Sequence, residues 1–334
     1  MRVEDFDYHL PEELIAKYPT EPRHMARLMV LDRNSQSIKH DVFWNLPLYL
    51  QEGDLLVFNN SKVMPARLYG KKNTGGKVEI LLTDYVTREE WYALLGGKGI
   101  REGMIIEVAK DFKVEVLENL ESGKFRVRLV AEDPLKALDK YGKIPIPPYL
   151  KREEESIDRV YYQTVFARVE GSVAAPTAGL HFSQELLDKL KAYGVEIAFI
   201  TLHISYGTFK PVKVASVEHH HIDPEYLKVP EETVELIKLT KERKRRVVAV
   251  GTTVVRALET SNFEPFEGWT SLYIYPGYHF RVVDALITNF HLPRSSLLFL
   301  VCAFGGKDYI LRAYEEAVKK KYRFYSYGDG MLVL

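Results

Sequence analysis

The texture of the chain changes twice, and no other feature constrains its fold as much. From about Arg67 to Val130 the sequence breaks into short β segments with turns between them. Several alternate in polarity, as in Lys113-Val114-Glu115-Val116 and Phe125-Arg126-Val127-Arg128. A period of two turns one face toward a core and the other toward water. Segments at 78–82, 91–95, 104–109, 112–117 and 125–130 predict a small antiparallel β-barrel. On either side of this stretch the pattern is different. Short helix 11–17 precedes strands at 27–32 and 54–59, with Pro11 at the first helical position and Pro19 ending it. Asp133-Pro134 starts another short helix that Gly142 stops, before the proline-rich return at 144–149.

Beyond that return, helices and strands alternate. Ser183 caps a helix to Tyr193, Gly194 ends it, and 195–202 is a buried strand. A helix at 231–243, a strand at 246–250 and a helix at 254–260 follow. Asp308 is expected to cap a last helix, with Ile310, Ala313, Tyr314, Ala317 and Val318 on one face. The reading is α/β: a mixed, largely parallel sheet with flanking helices, plus the inserted antiparallel barrel. Residues 1–66 and 151–334 would form one discontinuous domain and 67–150 the insertion, which suits a chain of 334 residues.

The richest stretch for function is 276–304, PGYHFRVVDALITNFHLPRSSLLFLVCAF. The apolar run 282–287 stops at Thr288, Asn289, His291, Arg294, Ser295 and Ser296, and the apolar run 297–304 follows at once. Both flanks are buried by such a pattern, while a hydroxyl, an amide, an imidazole and a guanidinium crowd one crossing. Other compact polar loops share the design: Asn59-Asn60-Ser61-Lys62, Ala175 to Ser183, Thr201-Leu202-His203, and Gly251-Thr252-Thr253 with Arg256 one turn later. At a helix start, free N–H groups and hydroxyls favour an anionic or carboxylate ligand. In an open α/β sheet, such loops converge beyond the strand carboxyl ends.

Other features have plainer readings. Lysine plus arginine, 46, equals aspartate plus glutamate, so total charge advertises no nucleic-acid partner, although a neutral sum can hide a basic face. His219-His220-His221 does not direct three rings at one centre on a helix or strand, so no metal is expected. Residues 241–246, KERKRR, read as a solvated helix end, and the aromatic run at 322–329 as either a sheet core or a base-stacking surface. Lone Cys302 lies in an apolar run and suits a core rather than a nucleophile. No Walker loop, dinucleotide-binding glycine pattern or nucleophile elbow is present. The first residues lack a signal-peptide pattern and no uncharged apolar stretch suits a membrane, so the cytoplasm is expected.

Taken in order, FDYHLPEELIAKYPTEPR, LLVFNNSKVMPARLYGKK, IPIPPYLKR, YQTVFA with GSVAAPTAGLHFS, TLHISYGTF, VGTTVVRALE, PGYHFRVVDALITNFHLPRSSLLFLV and YRFYSYGDGML resemble the S-adenosylmethionine:tRNA ribosyltransferase-isomerases of queuosine biosynthesis. The match runs from Phe6 to the C-terminus, and that family's α/β domain with an inserted barrel agrees with the texture above. The resemblance implies transfer of the ribosyl part of S-adenosylmethionine to 7-aminomethyl-7-deazaguanine at the tRNA wobble position, release of adenine and methionine, and formation of epoxyqueuosine. A base is then needed beside the sulfonium, a proton donor for adenine and hydrogen bonds for developing oxygen charge. Under this reading His181 or His203 is the base, with Asp284 or His291 as orienter or acid. Thr177, Thr252, Thr253 and Asn289 hold the co-substrate, and Arg256 faces its carboxylate. Lys62, Arg67, Arg294 and Arg323 meet tRNA. No cofactor beyond S-adenosylmethionine and no metal is implied, and one chain supplying every part favours a monomer.

Some positions depart from the family pattern: Ser205-Tyr206, Asp223, Val254 and Val160-Tyr161. They argue against chemical roles for Tyr206, Asp223 and Val254. The alternatives are an S-adenosylmethionine-dependent RNA methyltransferase, for which the usual glycine-rich loop is missing, and a non-catalytic RNA-binding protein.

Overall fold

The computed structural model describes residues 1–120, 123–209 and 211–334. Among these residues a nine-stranded sheet runs in the order Phe266–Thr270, Glu225–Val229, Glu196–Leu202, Leu55–Asn59, Val247–Val250, Ala285–Asn289, Gly330–Val333, Arg27–Asp32, Ser37–Val42. The four strands from Glu196–Leu202 to Ala285–Asn289 are parallel to one another. Both flanks bring in antiparallel pairs, so the sheet is mixed and its parallel block is central.

Two cores on opposite faces explain why the central strands are apolar without alternation. Leu55, Val57, Val247, Ala249 and Leu286 belong to one core, and Leu56, Phe58, Val248, Val250 and Ile287 to the other. Helices Glu231–Glu242, Thr252–Ser261, Ser296–Gly305 and Lys307–Lys319 cover the first face. Helix Gln184–Ala192 and the turn Phe43–Tyr49 cover the second.

The barrel is closed and antiparallel, in the order Phe125–Val130, Glu90–Gly96, Lys77–Tyr85, Arg67–Lys72, Ile105–Ala109, Phe112–Asn119. Leu68, Ile80, Trp91, Val114 and Val127 fill it, and helix Pro134–Tyr141 adds Leu135 and Leu138. The Asp133 side chain caps that helix by accepting from Lys136 N, and Gly142 ends it. The short parallel pair Ser61–Val63 with Val169–Ser172 joins the segments that enter and leave this region.

Three expectations need correction. Residues 11–17 are not a helix: only the single 3-10 turn Glu12–Leu14 forms. Tertiary pairing wins there, since Phe324 N donates to Leu14 O and Ala16 N donates to Phe324 O. The last helix, Lys307–Lys319, starts at Gly306 (φ 88°), so Asp308 lies inside its first turn rather than at its cap. The helix expected at 254–260 begins at Thr252, which places both threonines in its first turn.

Candidate active site

The four parallel strands deliver their carboxyl ends to one edge of the sheet. There a cleft of about 780 Å³ opens, lined by Ile204, Gly251 to Thr253, and Thr288 to Ser295 from three of those ends. Pro176, Thr177 and Ala178 form another wall, and Tyr149, Tyr325 and Ser326 a further one. Arg2, Val3 and Glu4 close it from the chain's beginning. A cleft outside strand carboxyl ends is the expected ligand position in an open α/β sheet.

Asn59 braces the floor. Its Nδ2 donates to Leu202 O at 2.9 Å and, more loosely, to Thr253 Oγ1 at 3.4 Å, while its Oδ1 accepts from Leu202 N and Ser61 N. One buried amide thereby ties two strand ends to the start of the Thr252–Ser261 helix. Gly251 precedes that helix at φ 103°, ψ 152°, a conformation essentially restricted to glycine. Thr252 and Thr253 thus meet the cleft together with the unpaired N–H groups of a helix start.

Asn289 and His291 form the opposite wall. Asn289 Nδ2 donates to Tyr325 O at 2.8 Å and Ser326 O at 3.2 Å, and its Oδ1 is 2.8 Å from His181 Nε2. His181 stacks on Phe43, with ring centroids 4.2 Å apart, and sits behind Asn289 rather than in the cleft. His291 lines the cleft itself. Its Nε2 is 2.7 Å from Thr288 Oγ1, its N–H donates to Tyr314 Oη, and Tyr8 Oη donates to its carbonyl. Burial pushes the ring of His181 down to about 4 and that of His291 to about 3. Both are neutral imidazoles at neutral pH.

His203 stands apart from the cleft, where the sheet meets the barrel. It stacks on Tyr226 at 5.3 Å and lies 5.0 Å from barrel residue Tyr85. Burial lowers it to about 4, and its Nδ1 has no partner among the described residues. Gly171 (φ 142°) makes room for it: a Cβ there would come within 2.6 Å of His203 Nε2.

Asp284, expected beside the histidines, occupies the amino end of the Ala285–Asn289 strand, opposite the cleft. Both its oxygens lie 2.6 Å from Lys241 Nζ, and it accepts from Val247 N. Its job there is to tie helix Glu231–Glu242 to the sheet. Arg256 does not line the main cleft either. It faces a smaller chamber alongside, with Nη1 2.6 Å from Glu225 Oε2.

The four basic residues expected at tRNA are dispersed. Arg294 lines the cleft rim, 3.5 Å from Asp7. Lys62 lies 3.3 Å from Glu170, and Arg67 lies 3.6 Å from Glu79. Arg323 is taken up by the chain's own amino-terminal segment, donating to Thr20 Oγ1 and Tyr18 O. Tyr322, Phe324, Tyr325 and Tyr327 are buried, which makes the 322–329 run a core rather than a stacking surface. Cys302 is buried too, its thiol pushed up to about 12. The bracing role of Asn59 and the walls at Tyr149 and Tyr325 were missed in the sequence. The Asn59-Asn60 doublet after an apolar run was the available signal for the first; the tyrosines, embedded among aromatics, gave none.

Over residues 3–333 the chain matches the family described as Queuosine biosynthesis protein. A relative from Aquifex aeolicus (strain VF5), named S-adenosylmethionine:tRNA ribosyltransferase-isomerase, is 73% identical over 334 residues, with 100% of both chains covered. One of the same name from Hydrogenobaculum sp. (strain Y04AAS1) is 58% identical, again with 100% of both covered. A crystal structure of S-adenosylmethionine tRNA ribosyltransferase from Thermotoga maritima is 40% identical, covers 99% of this chain and 100% of that one, and superposes with a TM-score of 0.57.

Proposed function

The chain belongs to the queuosine biosynthesis protein family, and from that premise we propose that its cleft transfers the ribosyl group of S-adenosylmethionine to tRNA and isomerises it. The acceptor is the aminomethyl group of 7-aminomethyl-7-deazaguanine at the wobble position, the products being epoxyqueuosine, adenine and methionine. The observation that carries this reading is the 73% identity across the full length of both chains. Geometry supports the location, since one cleft gathers the polar ends of the parallel strands.

The substrate brings its own activation. Its sulfonium acidifies the neighbouring ribose carbon, so the protein must accept a proton, ease adenine away and stabilise oxygen charge. His291, neutral and lining the cleft, is the imidazole assigned to the ribose, oriented by Thr288. Asn289 holds its orientation through His181 and supplies a rigid wall. Thr177, Thr252 and Thr253 contribute hydroxyls, and the helix start contributes N–H groups to oxygens of the ribose. Arg294 at the rim meets the incoming phosphate backbone. His203 and Asp284 are assigned positioning roles outside the cleft, and Lys62, Arg67 and the barrel at 67–150 the outer tRNA contacts. Sulfonium activation removes the need for a metal. A single chain furnishes all walls of the cleft, which favours a monomer, and the tRNA substrate favours the cytoplasm.

The test is one incubation of the purified protein with S-adenosylmethionine and tRNA carrying the aminomethyl-deazaguanine, without added metal. Adenine and methionine in equal amounts, with ribosyl mass gained on the tRNA, is the expected result. S-adenosylhomocysteine and a methyl gain would instead make it a methyltransferase; tRNA binding without either product would make it a binding protein.

A further inference from the structure

Beside the main cleft lies a second chamber of about 150 Å³, and the two share Thr208 and Leu297 as a common rim. Leu272, Ile274, Leu297 and Leu300 give it apolar walls, Arg256 with Glu225 closes one corner, and Asp223 and His220 line a polar side. Arg256 is 7% exposed, and its guanidinium is fixed on two sides. Nε donates to Leu272 O at 3.0 Å, and Nη1 donates to Glu225 Oε2 at 2.6 Å. Nη2 is buried with no hydrogen-bond partner among the described residues. Glu225 has no oxygen to spare for it, because Oε1 already accepts from Ser205 N at 2.8 Å and Thr208 Oγ1 at 3.1 Å.

An unmet donor on a buried guanidinium carries a desolvation cost that a native structure seldom leaves standing. Glu225 balances the charge and locks the group's direction, so the free donor waits for an acceptor entering the chamber. A short aliphatic chain ending in an amino acid matches the apolar walls, with its carboxylate toward the Arg256 corner and its ammonium toward the Asp223 side. We propose that this chamber receives the amino-acid end of S-adenosylmethionine, with Arg256 Nη2 hydrogen-bonded to its carboxylate and the sulfonium held at the rim near Leu297. The ribose then remains in the main cleft with Thr252, Thr253 and His291. This deepens the ribosyl-transfer reading and rests on it.

The experiment compares adenine release from S-adenosylmethionine and from its decarboxylated analogue, using the whole chain and acceptor tRNA. Removing the carboxylate is expected to lower kcat/KM roughly 10- to 100-fold, mostly through KM. In Arg256→Gln the ratio between the two compounds should fall close to one, whereas Arg294→Gln at the cleft rim should keep it. Equal rates in the wild type overturn the proposal. So does a ratio that survives Arg256→Gln, or one that collapses in Arg294→Gln instead. Should Arg256→Gln not fold, with Glu225 left unpaired, Leu297→Trp narrows the shared rim without touching that ion pair. It is expected to raise KM for both compounds and to erase the ratio, because a tail kept out of the chamber cannot bring its carboxylate to Arg256, and a ratio retained there also overturns the proposal. No adenine at all from the wild type with S-adenosylmethionine and tRNA would sink the ribosyl-transfer reading itself, an outcome distinct from equal release from both compounds.

Discussion

The amide of Asn289 is oriented by its own bonds. Because Nδ2 donates to two carbonyls, Oδ1 must be the acceptor toward His181, whose proton therefore sits on Nε2. Asn289→Ala would leave that N–H without its acceptor and remove the bond to Ser326 O at a buried position, while Tyr325 O would keep only its bond from Gly328 N. A loss of about 1–3 kcal/mol in urea unfolding is expected, and an unchanged midpoint would contradict the assignment. His291 makes a kinetic prediction. With its ring pushed down to about 3, it is wholly neutral near physiological pH, so it adds no inflection to kcat/KM across roughly pH 6 to 8. A step in that range that vanishes in His291→Gln would show that the ring titrates there after all. Loss of ribosyl transfer in the same variant is the expected companion result.

Elements set these residues at their working distances, and two substitutions separate holding from chemistry. Asp284 bonds Lys241 and Val247 N at the far end of the strand that ends in Asn289. Asp284→Asn is accordingly expected to lower stability by about 1 kcal/mol, since the pair is only partly buried, and to leave kcat/KM within about twofold. A collapse of activity at unchanged stability would return Asp284 to the reaction. Gly251→Ala acts on the other wall. Space for a Cβ exists, the nearest atoms being 3.7 Å away, so its cost comes from backbone conformation. A penalty of order 1–3 kcal/mol is expected, with KM for S-adenosylmethionine raised as Thr252 and Thr253 shift. The contrast also shows what the sequence could convey. Period-two alternation located five of the six barrel strands within a few residues and missed Arg67–Lys72, and side-chain capping by Asp133 and Ser183 marked two helix starts. Polar residues ending apolar runs marked the cleft, since Thr252, Thr253, Asn289, His291 and Arg294 all line it. Strands at Glu225–Val229, Phe266–Thr270 and Gly330–Val333 escaped, because their short polar or glycine-bearing sequences carry no period and depend on partners remote in the chain. Asp284 escaped for a related reason: sequence adjacency to Asn289 hides that a strand's two ends face opposite ways.

At the scale of the whole molecule, three buried neutral histidines couple folding to pH. His181 and His203 are lowered to about 4 and His291 to about 3, each from an ordinary 6.5, with desolvation as the largest cause. Partial burial moves His220 in the same direction. Below 6.5 the unfolded chain takes up protons that the folded chain refuses. Their stability contribution is thus fully present above pH 6.5 and is lost as pH falls toward 4 and below. At about 1.4 kcal/mol per pKa unit, the combined decline is on the order of several kcal/mol. Carboxylates held below their ordinary range, such as Asp158 beside Arg152, titrate lower still, whereas burial raises Asp329, whose protonation partly offsets the histidines as pH falls. Urea midpoints measured between pH 6.5 and 4 should therefore fall steeply, and His203→Gln should flatten the slope by about one proton. His203 is the informative site because it lies outside the cleft, packed between the barrel's Tyr85 and the sheet's Tyr226. A slope unchanged in that variant would mean that the imidazole is already protonated in the folded chain at mildly acidic pH, and that the packing between barrel and sheet tolerates a charge.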